Sequence, residues 1–144
     1  MTARAHFLPP AQYQSLEQCA EVVNCAFDGF GCYLVGSVLE RRDYRDVDVR
    51  YILGDAEFDR LFPASPSGDA LWSFIGWMTA TWMRGETGLP IDFQIQRQTD
   101  ANAEHDGIRS ALGHVRIYPG ELPTRLGLKR ARRGFLAVLS VRTQ

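Results

Sequence analysis

Two aspartates on one alternating segment, Asp46 and Asp48, are the residues of this chain best suited to chemistry. Residues two positions apart on a strand point to the same face, so both carboxylates can approach one divalent metal ion. Gly36 and Ser37 end the preceding apolar segment, and such a turn lets backbone N–H groups and a hydroxyl approach a phosphate closely. This combination is what phosphoryl or nucleotidyl transfer requires.

A third acidic residue, Asp92, faces outward on a second alternating segment, residues 91–96. If the two segments are neighbouring strands, the three carboxylates meet on one face and repel one another unless cations neutralise them. Mg²⁺ is the hard, oxygen-preferring ion that also binds triphosphates. We therefore expect Asp46, Asp48 and Asp92 to hold two Mg²⁺ ions, which would activate an attacking hydroxyl and stabilise a leaving pyrophosphate.

The elements that must position these residues follow from hydrophobic periodicity and from turn signals. In residues 46–53 the alternation places Val47, Val49 and Tyr51 inward, and it predicts a half-buried strand whose solvated face carries Asp48 and Arg50. The predicted elements are helix 11–28, strand 32–35, a polar connection 38–44 with room for one helical turn, strand 46–53, short helix 54–62, helix 69–84 with Asp69 as its N-cap, strand 91–96, a short helix in 99–104, a polar loop through 101–113, strand 115–118 and an apolar segment 135–141 that is either strand or helix.

The predicted helix 69–84 is apolar on more than one side. Leu71, Phe74 and Met78 share a stripe with Ile75 and Trp82, whereas two tryptophans lie away from it. Such a helix is either deeply buried or part of a protein interface. We favour burial, because small domains often need aromatic helices to complete a core. The alternative is a homodimer or a partner-protein contact through Trp72 and Trp77.

The chain is long enough for one domain, and its charged residues are distributed unevenly along it. The 144 residues are enough for one domain with a real core. Residues 1–119 carry 10 basic and 16 acidic side chains, whereas residues 120–144 carry 6 basic and 1 acidic, although the formal net charge of the whole is −1. We therefore predict a domain over 1–119 and a basic extension over 120–144, which either contacts a nucleic acid or folds back on the acidic body.

The remaining sequence signals point to the cytoplasm. Cys19, Cys25 and Cys32 are odd in number and lack CxxC spacing, as expected of buried thiols in a reducing compartment. The N-terminus has no apolar stretch typical of a signal peptide. The apolar runs are interrupted by Gly, Thr, Ser or Arg before they reach membrane-spanning length, so no membrane partner is expected.

Taken together, residues 34–37 (Leu-Val-Gly-Ser), residues 46–49 (Asp-Val-Asp-Val) and residues 91–93 (Ile-Asp-Phe) resemble the nucleotidyltransferase superfamily of DNA polymerase β. The motif of that superfamily is a hydrophobic residue, Gly, Gly or Ser, a short spacer, and two aspartates alternating with hydrophobic residues, followed by a third acid on a later strand. The likeness is to its minimal single-domain members, and it covers roughly residues 30–97.

The resemblance implies a fold, a cofactor and residue roles. The fold would be a mixed β-sheet flanked by helices, an α/β palm of the nucleotidyltransferase type, and Mg²⁺ would act with a nucleoside triphosphate. Gly36 and Ser37 would bind phosphate, Asp46 and Asp48 would ligate both metals, and Asp92 would be a further ligand and a possible general base.

The segment between the Gly-Ser turn and the aspartates carries arginines whose role is open. Arg41 and Arg42 would either assist triphosphate binding or pair with Glu40 and Asp43.

The functional hypothesis is thus a Mg²⁺-dependent nucleotidyltransferase that moves an NMP group from an NTP to an acceptor hydroxyl. The acceptor, whether a protein, an RNA or a small molecule, is left open, because no separate substrate domain follows. The alternative is a catalytically inactive protein of the same fold that acts as a binding or dimerisation module, as an antitoxin-like or phage accessory protein would.

Overall fold

The computed structural model describes residues 6–64 and 68–113 of the 144-residue chain. The elements, in chain order, are α1 (Pro10–Ala26), β1 (Gly31–Val35), a 3-10 turn (Gly36–Leu39), β2 (Val47–Leu53), α2 (Asp55–Leu61), α3 (Ala70–Thr87), β3 (Ile91–Arg97), α4 (Gln98–Glu104) and β4 (Ser110–Ala111). The strands form a mixed sheet in the order β3-β2-β1-β4. Over these residues, the predicted α/β class, a mixed sheet flanked by helices, is confirmed.

The predicted helices and strands that fall on described residues are all present, with ends that differ by three residues at most. One strand was not predicted. Residues 110–111 belong to the segment interpreted as a polar loop, but they pair antiparallel with β1 at Tyr33 and Leu34. The predicted strand 115–118, the boundary after residue 119 and the basic extension 120–144 lie outside the described residues.

The register of β2 and β3 positions the acidic residues. The two strands are parallel, with Val47 opposite Ile91 and Asp48 opposite Asp92. Parallel neighbours need a crossover connection, and α2 and α3 provide it. Because side chains alternate in phase on paired strands, Asp48 and Asp92 point to the same face of the sheet.

The core lies on the other face of the sheet. Val49, Phe93 and Leu34 are fully or almost fully buried there, under helices α1 and α3, which also contact each other. Tyr51 is buried as well, and its hydroxyl donates to the carbonyl of Phe27 at 2.9 Å, so the polar end of this ring is satisfied. The sequence alternation on β2 and β3 therefore identifies the apolar face correctly.

The acidic face of β2 is more buried than the alternation predicts. Arg50 is only 4% exposed and Ile52 only 3%, so Asp48 is the one residue of β2 that is not buried. Helix α4 contacts both β2 and β3 and packs Ala101 into the structure. The prediction of a half-buried strand is therefore wrong at Arg50, because a helix and the neighbouring strand cover part of that face.

Helix α3 runs along the edge of the sheet formed by β3. Two of its side chains donate to β3 carbonyls, Trp72 Nε1 to Ile95 at 2.7 Å and Arg84 Nε to Ile91 at 2.8 Å. At the N-terminus, Asp69 Oδ1 accepts from the backbone N–H of Trp72 at 3.0 Å, which confirms the predicted cap. An edge strand offers unpaired backbone groups, and α3 satisfies part of that edge.

The opposite side of α3 is open to solvent. Leu71, Phe74, Trp77 and Met78 are 52%, 59%, 65% and 45% exposed. The expectation of burial is therefore wrong for Leu71, Phe74 and Met78 of the predicted stripe. Its other two residues, Ile75 and Trp82, are partly buried against the core, and α3 also buries Ala80, Met83 and Thr87. Apolar as α3 is, no helix within residues 6–64 and 68–113 is long and apolar enough to cross a membrane.

We predict that Asp69→Ala lowers the free energy of unfolding by about 1 kcal/mol, because it removes the side-chain cap of α3. Urea denaturation monitored by circular dichroism measures this change. Asp69→Asn is the matched control, since its amide oxygen can still accept from Trp72 N–H. Equal stability of the Ala variant and the unmodified chain would contradict the prediction.

Candidate functional site

Two carboxylates define the centre of the site. Asp48 and Asp92 are register partners on neighbouring parallel strands, and their side chains are 24% and 44% exposed. Partial burial is the largest influence on Asp48 and raises the pKa of its carboxyl. Arg50 opposes that rise, while the negative charge of Asp92 and a hydrogen bond to it add to it. The pair is thus held close enough for the ionised Asp92 to disfavour ionisation of Asp48.

Arg50 lies between the two carboxylates. Its Nη2 donates to Asp48 Oδ1 at 3.3 Å and to Asp92 Oδ2 at 3.0 Å. Its Nη1 donates to the backbone carbonyls of Asp92 at 2.9 Å and Val49 at 3.2 Å. The sequence alternation places Arg50 on the solvated face of β2 and gives it no role. Its position two residues after Asp48 on the same strand is the sequence feature that could have indicated a contact with that carboxylate.

Gly36 brings the Gly-Ser turn against the first of these carboxylates. Its φ is +74°, in the left-handed region that favours glycine, and a Cβ built on it would lie 2.7 Å from Asp48 Oδ2. Only a residue without a side chain allows this approach. The backbone of the predicted phosphate-binding turn and a predicted metal ligand are therefore direct neighbours.

Ser37 belongs to the 3-10 turn that follows β1. Its carbonyl accepts from the backbone N–H groups of Glu40 at 3.0 Å and Arg41 at 2.9 Å, so the turn is closed by its own backbone. The Ser37 side chain is half-buried. This arrangement fixes the chain direction immediately after Gly36.

Asp46 lies one residue before β2 and is paired differently. Its Oδ2 accepts from Arg45 Nε at 3.0 Å, and the two side chains are 46% and 92% exposed. Its charge contributes the smallest of the influences that raise the pKa of Asp48. In the part of the chain that the structure describes, no group of three or more His, Cys, Asp or Glu side chains is arranged to hold a metal ion.

The two arginines predicted to assist the triphosphate are exposed. Arg41 Nε lies 3.8 Å from Asp43 Oδ1, and both side chains are largely solvated. A pair this long and this exposed contributes little stability. The structure thus brings together Gly36, Asp48 and Asp92, but it leaves Arg41 and Arg42 at the surface.

An open cleft of about 280 Å³ adjoins Asp92 on the side towards α3. Its lining includes the polar residues Asp92, Gln94 and Arg84 and the aromatic residues Trp72 and Trp77. Asp92 therefore belongs to the carboxylate pair and also borders a space that a small group can enter.

The comparisons with known proteins find no match, either among family models, among curated proteins or among solved structures. The functional argument therefore depends on the geometry of Gly36, Asp48, Arg50 and Asp92.

We predict that Gly36→Ala lowers the free energy of unfolding by about 1–2 kcal/mol, the cost of a non-glycine residue in the left-handed region. Displacement of the Asp48 carboxylate by the new methyl group adds to that loss. Chemical denaturation of both forms measures the difference.

Gly85→Ala is the matched control for this substitution. A Cβ at Gly85 meets no atom within 4 Å, and the residue lies within α3. We expect this variant to be more stable than the unmodified chain by about 0.5–1 kcal/mol, because alanine loses less conformational entropy in a helix. Equal effects of the two substitutions would show that Gly36 is not constrained.

Proposed function

We propose that this protein is a Mg²⁺-dependent nucleotidyltransferase that moves an NMP group from an NTP to an acceptor hydroxyl. The observation that carries the proposal is the contact between Gly36 and the Asp48 carboxylate, with Asp92 beside it on the adjacent strand. One point on the sheet thus combines a backbone turn suited to phosphate with two carboxylates suited to a hard cation.

The donor chemistry fits Mg²⁺. Carboxylate oxygens are the ligands that this ion prefers, and Asp48 and Asp92 offer them side by side on neighbouring strands. Asp48 and Asp92 would hold the ion, and the exposed Asp46 would join them after releasing Arg45. When bound, Mg²⁺ would supply charge stabilisation to the transferring phosphoryl group and the leaving pyrophosphate.

The residues of the chain would then act on the substrates. Gly36 and Ser37 would hold the outer phosphates and orient the leaving group. Asp92 would accept the proton of the attacking hydroxyl, because it borders the cleft from which an acceptor can approach. In-line displacement requires the acceptor opposite the pyrophosphate, and this cleft lies across β2 and β3 from the Gly-Ser turn. The acceptor is a hydroxyl of a protein, an RNA or a small molecule.

We predict that Asp48→Asn and Asp92→Asn each abolish transfer of label from an α-³²P-labelled NTP to acceptors in a lysate of the source cell. Metal-ion charge stabilisation contributes several kcal/mol, so a loss of roughly a hundredfold or more in labelling rate is expected. Omission of Mg²⁺ is expected to have the same effect.

Asp106→Asn is the control for these variants, since it removes an exposed carboxylate outside the site and should leave labelling unchanged. Circular dichroism establishes that each variant is folded. Labelling that survives in the Asp48→Asn, Asp92→Asn double variant, or that does not depend on Mg²⁺, would exclude the proposed mechanism.

A second candidate function is self-association through α3, which suits a binding or dimerisation module. The exposed stripe of Leu71, Phe74, Trp77 and Met78 lies on a helix that has no charged residue between Asp69 and Arg84. A two-fold contact presents the same surface from both copies, so it requires a face without like charges. This face meets that requirement, and the partner that we propose is a second copy of the chain.

The exposed area of the stripe is sufficient for a weak dimer. A whole aromatic side chain has roughly 150–250 Å² of surface, so Phe74 and Trp77 leave on the order of 250 Å² open. With Leu71 and Met78 the stripe reaches on the order of 400 Å², within the size range of functional patches. The total area buried between two such stripes and their neighbouring side chains would approach about 1,200 Å², the lower limit for specific interfaces.

We predict that the full chain sediments as a monomer–dimer equilibrium across a dilution series, and that Trp77→Glu shifts it to monomer because a charge is then desolvated at the contact. Ile108→Glu is the matched control, since Ile108 is an exposed apolar residue elsewhere, at 85% exposure. A chain that is monomeric at every concentration would exclude self-association and indicate a different partner or coverage by another segment.

A further inference from the structure

Arg50 is the most deeply buried charged residue of the site, with a side chain 5% exposed. An arginine is seldom buried unless it is paired, and its charge cannot be lost by deprotonation within a protein. Arg50 therefore places a permanent positive charge beside Asp48 and Asp92.

Four acceptors hold the guanidinium in one orientation. Two are the carboxylate oxygens Asp48 Oδ1 and Asp92 Oδ2, and two are the carbonyls of Val49 and Asp92. The fifth donor, Nε, is buried without a hydrogen-bond partner in the described part of the chain. Rotating the buried guanidinium away would break all four of these hydrogen bonds, so it is held in place within the sheet.

This arrangement uses one oxygen of each carboxylate. Asp48 Oδ1 and Asp92 Oδ2 accept from Arg50, whereas Asp48 Oδ2 faces the Gly36 backbone. A pair of metal ions about 3.5–4 Å apart needs many ligand oxygens within a small space. The oxygens that accept from Arg50 are less available to such a pair. A second divalent ion at the oxygens already bound by Arg50 would also meet a like charge at close range.

We propose that Arg50 replaces one of the two divalent cations expected for such a site, so that the site takes a single divalent cation. That cation would be held by the oxygens that Arg50 does not bind, Asp48 Oδ2 on the Gly36 side and Asp92 Oδ1. The guanidinium supplies the second positive charge next to Asp92. This inference rests on the proposed nucleotidyltransferase function and specifies its metal requirement.

Electron paramagnetic resonance of Mn²⁺ tests the inference without measuring activity. The full chain is mixed with Mn²⁺ and an NTP analogue whose α,β-bridge is a methylene group. Two Mn²⁺ ions about 3.5–4 Å apart give an exchange-coupled spectrum, whereas a single ion gives an uncoupled one. We expect an uncoupled spectrum and one protein-bound Mn²⁺ per chain.

Substitutions of Arg50 test its role directly. Arg50→Met removes the charge but keeps an unbranched side chain, and we expect a coupled pair of Mn²⁺ ions to appear. Arg50→Lys retains a positive charge, so its Mn²⁺ spectrum should remain uncoupled. Arg60→Met is the matched control, since Arg60 pairs with Glu57 on the surface of α2 and should not alter the spectrum.

The outcomes separate this inference from the proposed function. A coupled spectrum from the unmodified chain would overturn the role of Arg50 while leaving a metal-dependent transferase intact. Absence of protein-bound Mn²⁺, with and without the nucleotide analogue, would overturn both. The unmodified chain decides between these results even if Arg50→Met does not fold.

Discussion

The parallel pairing of β2 with β3, in the register that sets Asp48 opposite Asp92, is the constraint on which the rest of the structure depends. The same register sets Val49 opposite Phe93 on the apolar face, beneath α1 and α3. A slip of one residue would turn the carboxylates into the core and the apolar side chains outward. Burial of the core therefore enforces the alignment of the acidic site, and the free energy that stabilises the fold also positions its chemistry.

The acidic face is maintained at an electrostatic cost that Arg50 reduces. Two carboxylates on adjacent strands repel each other, and the guanidinium between them offsets part of that repulsion. The dependence is mutual, because without the carboxylates the buried guanidinium would be an uncompensated charge, at a cost that the partial exposure of Asp48 and Asp92 keeps below that of a fully buried pair. Asp48, Arg50 and Asp92 are thus both a structural element of the sheet and the region where we propose that a phosphate binds. Its stability and its proposed reactivity come from the same three side chains.

Helix α3 connects this site to the surface of the protein. One side is anchored to the edge of β3 through Trp72 and Arg84, which gives an otherwise open strand some of its missing hydrogen bonds. The same anchoring turns Phe74 and Trp77 outward, since a helix cannot direct its whole circumference into a core on one side. The proposed catalytic cleft and the proposed contact surface therefore lie on adjacent sides of one rigid helix.

Local spacing and turn chemistry in the sequence are enough to predict the strands and α-helices of the described residues except β4, the apolar faces of β2 and β3 and the Asp69 cap. They also identify Gly36, Asp48 and Asp92 as candidates. The nucleotidyltransferase assignment remains a proposal that the described geometry supports. Three features follow from long-range packing and could not be read from local sequence: the burial of Arg50 between two carboxylates, the exposure of the outer stripe of α3, and the strand at residues 110–111. Alternation identifies two faces of a strand, but what covers each face is decided by segments distant in the chain.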